Sequence, residues 1–351
     1  MKSNKLTRIT AIGLFILVGI STRLSARDNT VLSQAADGNY ADNGDNLAYG
    51  ITWTQLSFPS NLPPARSYPA MTYDPVSRKV VLFGGSGSSG NLNDTWTFDG
   101  AAWSKETPAV SPPARSLAAM AFDTASLRVV LFGGFDGHQY FGDSWTWDGA
   151  TSTWKKVSSA IFPKAVAGAA GFTDPANGHA DVYGGFDGQF HYLDTYQWSG
   201  TTWNKLSPET SAWARSLAVA ALNPQDNSVV LFSGVGDINT YNTWTWDGTT
   251  WTEQFPVTQP PSRYGAGGAF DPLTGNVIIF GGGPYNFDLN DTWMLTGANW
   301  EQLVPAKSPS ARKGAGMVYD PAINQLVLFG GGTRSGNLFS DTWVFTSAPG
   351  R

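Results

Sequence analysis

The chain has 351 residues, a formal net charge of −5 and no cysteine. The length suits one large domain or two ordinary ones, and the missing cysteine excludes disulfides, thiolate metal sites and a cysteine nucleophile. Charged residues make up only 14%, against 40 glycines and 15 tryptophans, which suits an all-β protein with many tight turns.

Residues 1–26 read as an export signal. Lys2, Lys5 and Arg8 make a basic start, Ala11 to Ile20 is apolar, and small residues lead to a cleavage point at Ala26. The apolar run is short for a membrane span. No cysteine follows, which speaks against lipid attachment. Cleavage removes four cations and moves the count from −5 to −9, an acidic balance that argues against nucleic acid and anionic membrane as partners. Residues 27–50 carry Asp28, Asp37, Asp42 and Asp45 among small polar residues and read as a flexible acidic linker. The expected location is outside the cytoplasm: periplasm, cell surface or medium.

From Lys79 the chain repeats. K-V-V-L-F-G-G, a loop and N-D-T-W-T-F-D-G fill Lys79 to Gly100, and similar segments close on Gly134, Gly185, Gly234, Gly282 and Gly331. The closing glycines are 49, 51, 49, 48 and 49 residues apart, and a period near 50 points to a blade-type repeat. In the first unit, strand a is expected over Arg66 to Tyr73 and strand b over Lys79 to Phe83. Strand c is expected over Asp94 to Phe98, with strand d around Trp103. Asp74-Pro75 and Asp99-Gly100 mark the turns. Four antiparallel strands in each of six units predict a six-bladed β-propeller, here over residues 51–347, with 348–351 as a tail.

Three aromatic rows supply the packing between blades. Phe83, Phe132, Tyr183, Phe232, Phe280 and Phe329 precede the glycine pairs. Trp96, Trp145, Tyr196, Trp244, Trp293 and Trp343 follow the strand-c Asp or its substitute, and Trp103, Trp154, Trp203, Trp251 and Trp300 lie on strand d. The last row is one short. Ile51-Thr-Trp-Thr-Gln-Leu56 reads like a strand d, so the N-terminal strand is expected to complete the last blade and close the ring.

With its glycine pairs, Asp-Thr-Trp segments and later tryptophans, the sequence resembles the kelch-repeat propellers over residues 51–347. That resemblance implies the fold. It leaves function open, because kelch propellers include oxidases, isomerases and protein-binding modules. Tandem immunoglobulin-like sandwiches are the alternative fold, but need ~100 residues per unit.

In a four-strand meander the d-to-a and b-to-c connections share a face, and here they are the long, variable ones, so binding is expected there. One candidate set is Arg66, Arg115, Arg215, Arg263 and Arg312, each opening a strand a. Ala165 is read as holding that place in blade three, with Lys164 beside it. Guanidiniums at a channel mouth suit carboxylate, phosphate or sulfate groups. Kelch domains that bind acidic peptides carry arginines at the corresponding strand start, and Arg263-Tyr-Gly-Ala-Gly and Arg312-Lys-Gly-Ala-Gly resemble that pattern most. The competing reading pairs each arginine with a neighbouring blade's Asp or with loop carbonyls. The other set is Asp136, His138, Tyr140, Asp187, Gln189, His191 and Tyr285 in the b-to-c loops, where aromatic rings with polar neighbours suit a sugar. The competing reading packs these rings against one another. His138 and His191 match no metal-ligand spacing, so no metal or other cofactor is expected. The strand-c aspartates Asp94, Asp143, Asp194, Asp291 and Asp341 read as structural acceptors for backbone amides.

Three function classes follow. Copper chemistry like that of galactose oxidase needs, in that family, a cysteine cross-linked to tyrosine, which this chain lacks. A sialate-mutarotase-like enzyme, from an exported kelch family, needs a carboxylate near the mouth; Glu106 and Glu209 are the nearest glutamates. The simplest reading is a monomeric, non-enzymatic recognition module for a protein or glycan ligand, anionic if the arginines face it.

Overall fold

The computed structural model describes residues 50–58, 60–158, 163–236 and 240–347. The expected export signal, nearly all of the expected linker and the expected tail lie outside these residues. The described residues belong to one compact unit, and every regular element among them is a strand.

Six four-stranded antiparallel sheets repeat in chain order. In blade one, Ala70–Asp74, Lys79–Phe83, Thr95–Phe98 and Trp103–Glu106 are strands a to d. Strand a is shorter than expected because Arg66–Ser67 breaks away and pairs with Ser86–Gly87. The break falls at Tyr68, whose φ of 52° turns the chain into the left-handed region that side chains rarely adopt. The sixth sheet joins the two ends of the fold: Thr52–Leu56 lies antiparallel to Thr342–Thr346, with Trp53 opposite Phe345.

Each strand-d tryptophan is buried against the blade before it. The Trp154 ring lies 5.4 Å from Phe83, and Trp203 lies 5.5 Å from Phe132. Trp251 meets Tyr183 at 4.8 Å, Trp300 meets Phe232 at 4.9 Å, Trp53 meets Phe280 at 5.1 Å and Trp103 meets Phe329 at 5.1 Å. Every one of these indole N–H groups also donates to a hydroxyl of the preceding blade: Trp103 to Thr342, Trp154 to Thr95, Trp203 to Ser144, Trp251 to Thr195, Trp300 to Thr243 and Trp53 to Thr292. These six indoles are therefore buried with their one polar atom satisfied. Trp53 fills the sixth place in this series. Deleting residues 51–56 removes that contact and the outer strand, so the thermal midpoint should fall sharply; an unchanged melt would contradict the role assigned to Trp53.

One interface breaks the apolar rule. Two residues before the aromatic that ends strand b stand Val81, Val130, Val230, Ile278 or Val327 in five blades, but Asp181 in blade three. Asp181 is fully buried. Burial, reinforced by the neighbouring Asp174 carboxylate, pushes its pKa up to about 9. The folded state thus holds the neutral acid. Its stability is greatest below the ordinary carboxylate range and falls as pH rises toward 9, by up to ~1.4 kcal/mol per pH unit. Asp181→Val should raise the unfolding midpoint at pH 8 and flatten that slope between pH 5 and 9, read by urea denaturation across the range.

Candidate functional site

The five arginines do not face a ligand. All are buried, at 0–1% exposure. The Arg66 guanidinium donates to both carboxylate oxygens of Asp94, at 2.6 and 2.8 Å, and to the Gly84 carbonyl, while its Nε donates to the Pro64 carbonyl. Arg115 with Asp143, Arg263 with Asp291 and Arg312 with Asp341 repeat the arrangement. Arg215 meets Asn242 instead, and burial pulls its pKa down to about 10. The reading of Arg66, Arg115, Arg215, Arg263 and Arg312 as ligand-binding groups is corrected on this geometry: each guanidinium is shut from solvent and already bonded, to a carboxylate in four blades and to Asn242 in the fifth, and has nothing to offer an anion. The carboxylates respond in turn. Burial would raise Asp94 and Asp143, but the arginines outweigh it and hold both below the usual range.

These pairs bind one blade's strand a to its own strand c, and the arginine carbonyls reach the blade before. Arg115 O accepts from Gly85 N, and Arg66 O from Gly331 N. That carbonyl stands 2.5 Å from where a Cβ on Gly84 would be, and Gly84 has a φ of +62°. Sterics and backbone conformation together demand the glycine.

The mouth is ringed by backbone. Two residues after each arginine, Tyr68, Leu117, Leu217, Gly265 and Gly314 all have φ between 52° and 65°, and Gly168 matches them at 67°. Their amides form a continuous circle: Leu117 N to Tyr68 O, Gly168 N to Leu117 O, Leu217 N to Gly168 O, Gly265 N to Leu217 O, Gly314 N to Gly265 O and Tyr68 N to Gly314 O. Beneath it lies a cavity of about 190 Å³ lined mainly by alanine and glycine of the six strands a.

This circle also corrects the register of blade three. Gly134 N bonds to Val166 O where other blades use an arginine carbonyl, so Val166, not Ala165, holds the arginine position. Counting from the strand's last aromatic residue misled, because Thr173 stands where the other blades have an aromatic or Leu222. In every unit this position lies 19 residues before the closing glycine, a spacing that would have found it.

The loop face outside the circle carries two clusters. In blades two and three, Phe135, Tyr140, Phe186 and His191 form a chain of rings at 4.7, 6.1 and 4.6 Å. Asp136 accepts the amides of His138 and Gln139, and Asp187 those of Gln189 and Phe190, so both carboxylates shape their turns. These amides hold Asp136 below the ordinary carboxylate range. The Tyr192 hydroxyl, then Lys164 at 2.9 Å, lower Asp187. His138 and Gln189 stay exposed.

Of the second cluster, only Tyr285 was named from the sequence. Lys313 stands where Ser67, Ser116 and Ser216 stand in other blades. It is buried, with its ammonium 4.5 Å from the Tyr264 ring and 3.5 Å from Asp288. Tyr264 faces Tyr285 at 5.2 Å, and Tyr285 is 69% exposed. Burial, then Tyr264 and Asp288, raise the Tyr68 phenol far above its ordinary value. Arg334 donates its amide to Asp288 and its guanidinium to the Asn286 carbonyl. The signal was a departure from the repeat: a lysine and a tyrosine where the other arginine-bearing blades have serine. Of the glutamates, Glu106 sits on the outermost strand and accepts from Thr97, and Glu209 is exposed.

The description of a KLHDC2/KLHL20/DRC7 kelch-repeats domain matches residues 48–234, more than half of the chain. The chain belongs to the kelch-repeat family. Among curated proteins none matches it in sequence. Among solved structures, the one titled "Structure of YjhT" is similar, with a TM-score of 0.65 and 18% identity over 82% of this chain and 98% of that one. Likeness at that identity concerns the kelch propeller fold alone.

Arg263→Met should cost about 3–5 kcal/mol of stability, since it strands a largely buried carboxylate. Urea unfolding checks this; a loss under about 1 kcal/mol would mean the guanidinium is free for other work.

Proposed function

We propose that this kelch propeller is an exported recognition module that binds a protein or carbohydrate ligand on its loop face. The observation that carries it is the exposure of aromatic side chains on the b-to-c loops, with Tyr285 at 69%, Phe190 at 52%, Phe287 at 48% and Tyr241 at 44%. Aromatic faces next to fixed polar groups suit sugar rings and peptide side chains alike. Any preference for an anion rests on Lys164 and Arg334, which are exposed, and not on the locked arginines. An enzyme on the same face would need a proton donor and acceptor held near a substrate. Glu106, on the outer strand, is bonded to Thr97 of strand c and supports no such role.

Glycan and peptide arrays probed with the purified protein should return a hit. Tyr285→Ala combined with Phe287→Ala should weaken that hit about tenfold or more, the scale of a lost aromatic anchor, with an unchanged melt. Binding that survives both changes would place the ligand elsewhere.

A further inference from the structure

Blade three retains a receptor whose occupant the chain does not supply. In blade one the arginine is held by the carbonyls of Pro64 and Gly84 and by the Asp94 carboxylate. The matching positions in blade three are Lys164, Gly184 and Asp194. All three line one cavity, together with Val166, Tyr192 and Tyr196. An aromatic floor is present too. The guanidiniums of Arg115 and Arg312 lie 3.8 and 3.9 Å from the Phe141 and Phe339 rings. Tyr192 takes that place in blade three, its amide bonded to Gly185 as that of Phe141 is to Gly134.

The carboxylate is also more open than its counterparts. Asp194 has 28% of its side chain exposed, against 14–18% for the four aspartates that hold an arginine. Its present partner is Lys205, at 2.8 Å, from the outer strand. In blade two, where the arginine is in place, the equivalent Lys156 instead lies 5.9 Å from the Trp145 ring centre.

We propose that this slot binds an alkylguanidinium group entering from the loop face, completing blade three from outside as the chain's own arginines complete the other five. The cavity, about 20 Å³, holds roughly one water as it stands. Binding therefore displaces that water and moves the Lys205 ammonium off Asp194, into the position Lys156 occupies. The Lys164 ammonium, now between Asp187 and Tyr192, turns outward. A planar fork matches the carboxylate and stacks on the tyrosine, whereas an ammonium does neither as well. The proposal does not rest on the loop-face reading, although Lys164 borders both sites.

The test is calorimetric titration of the purified protein with ethylguanidinium. Ethylammonium is the control, and a blocked Gly-Arg-Gly tripeptide is a second arm. Ethylguanidinium should saturate one site and bind about tenfold or more tightly than ethylammonium. Asp194→Asn should weaken it about tenfold or more, as expected when a charge-assisted pair is lost. Val166→Arg should abolish binding by filling the slot. Binding of the tripeptide would assign the ligand to an arginine side chain of a protein, and binding of ethylguanidinium alone to a small molecule. Failure of both ligands, or binding indifferent to Asp194→Asn, overturns the proposal. If Val166→Arg does not fold, the Asp194→Asn titration and the amide shifts of Val182 and Tyr192 decide it.

Discussion

The contact that the rest of this protein depends on is an indole lying between two blades. Six strand-d tryptophans each pack, tilted or edge-on, against an aromatic side chain of the preceding blade and donate to a hydroxyl there. A single blade would leave these rings in water; only the next one covers them. The same need explains the role of Thr52–Leu56. Without Trp53, the Phe280 and Thr292 side of the fifth blade would lack the partner that every other blade has.

The second constraint is charge. Burying five guanidiniums is tolerable only if each meets acceptors, and four meet a bidentate carboxylate. Recurrence in nearly every blade is thus a property of the scaffold. A side chain that answers a problem posed six times appears almost six times. A ligand is met on one side of a ring, so the residues able to treat it specifically are those that depart from the repeat: Lys313 and Tyr264 beside Tyr285, and Val166 opposite Asp194. Asp181 departs in the same sense, setting a titratable group where other blades have a branched aliphatic one.

The mouth shows how the two constraints meet. A circle of six amide-to-carbonyl bonds needs each contributing residue in the left-handed region. Glycine adopts this freely, while Tyr68, Leu117 and Leu217 do so under strain. The circle holds the strands a in register around a narrow cavity. It leaves the loops outside it as the surface where side chains are unconstrained by the scaffold.

Blade number, strand order and the completion of the last sheet were legible in the chain, because period, turn residues and the short tryptophan row all follow from local sequence. The strand-c aspartates were read as acceptors for backbone amides, but four of them accept from an arginine of the same blade, a partner that local sequence does not name. The fate of the arginines was not, since spacing places a side chain at a strand start without saying which way it points or what it meets. The register at Val166 was hidden by an aromatic shifted one place, and the Lys313 cluster joins residues from blades five and six that only the ring brings together. Sequence by itself determined a six-fold scaffold, because the repeat is written in nearest-neighbour patterns. Only tertiary structure decided which polar groups are spent on that scaffold and which remain for a ligand, because burial and partner distance are properties of the assembled ring.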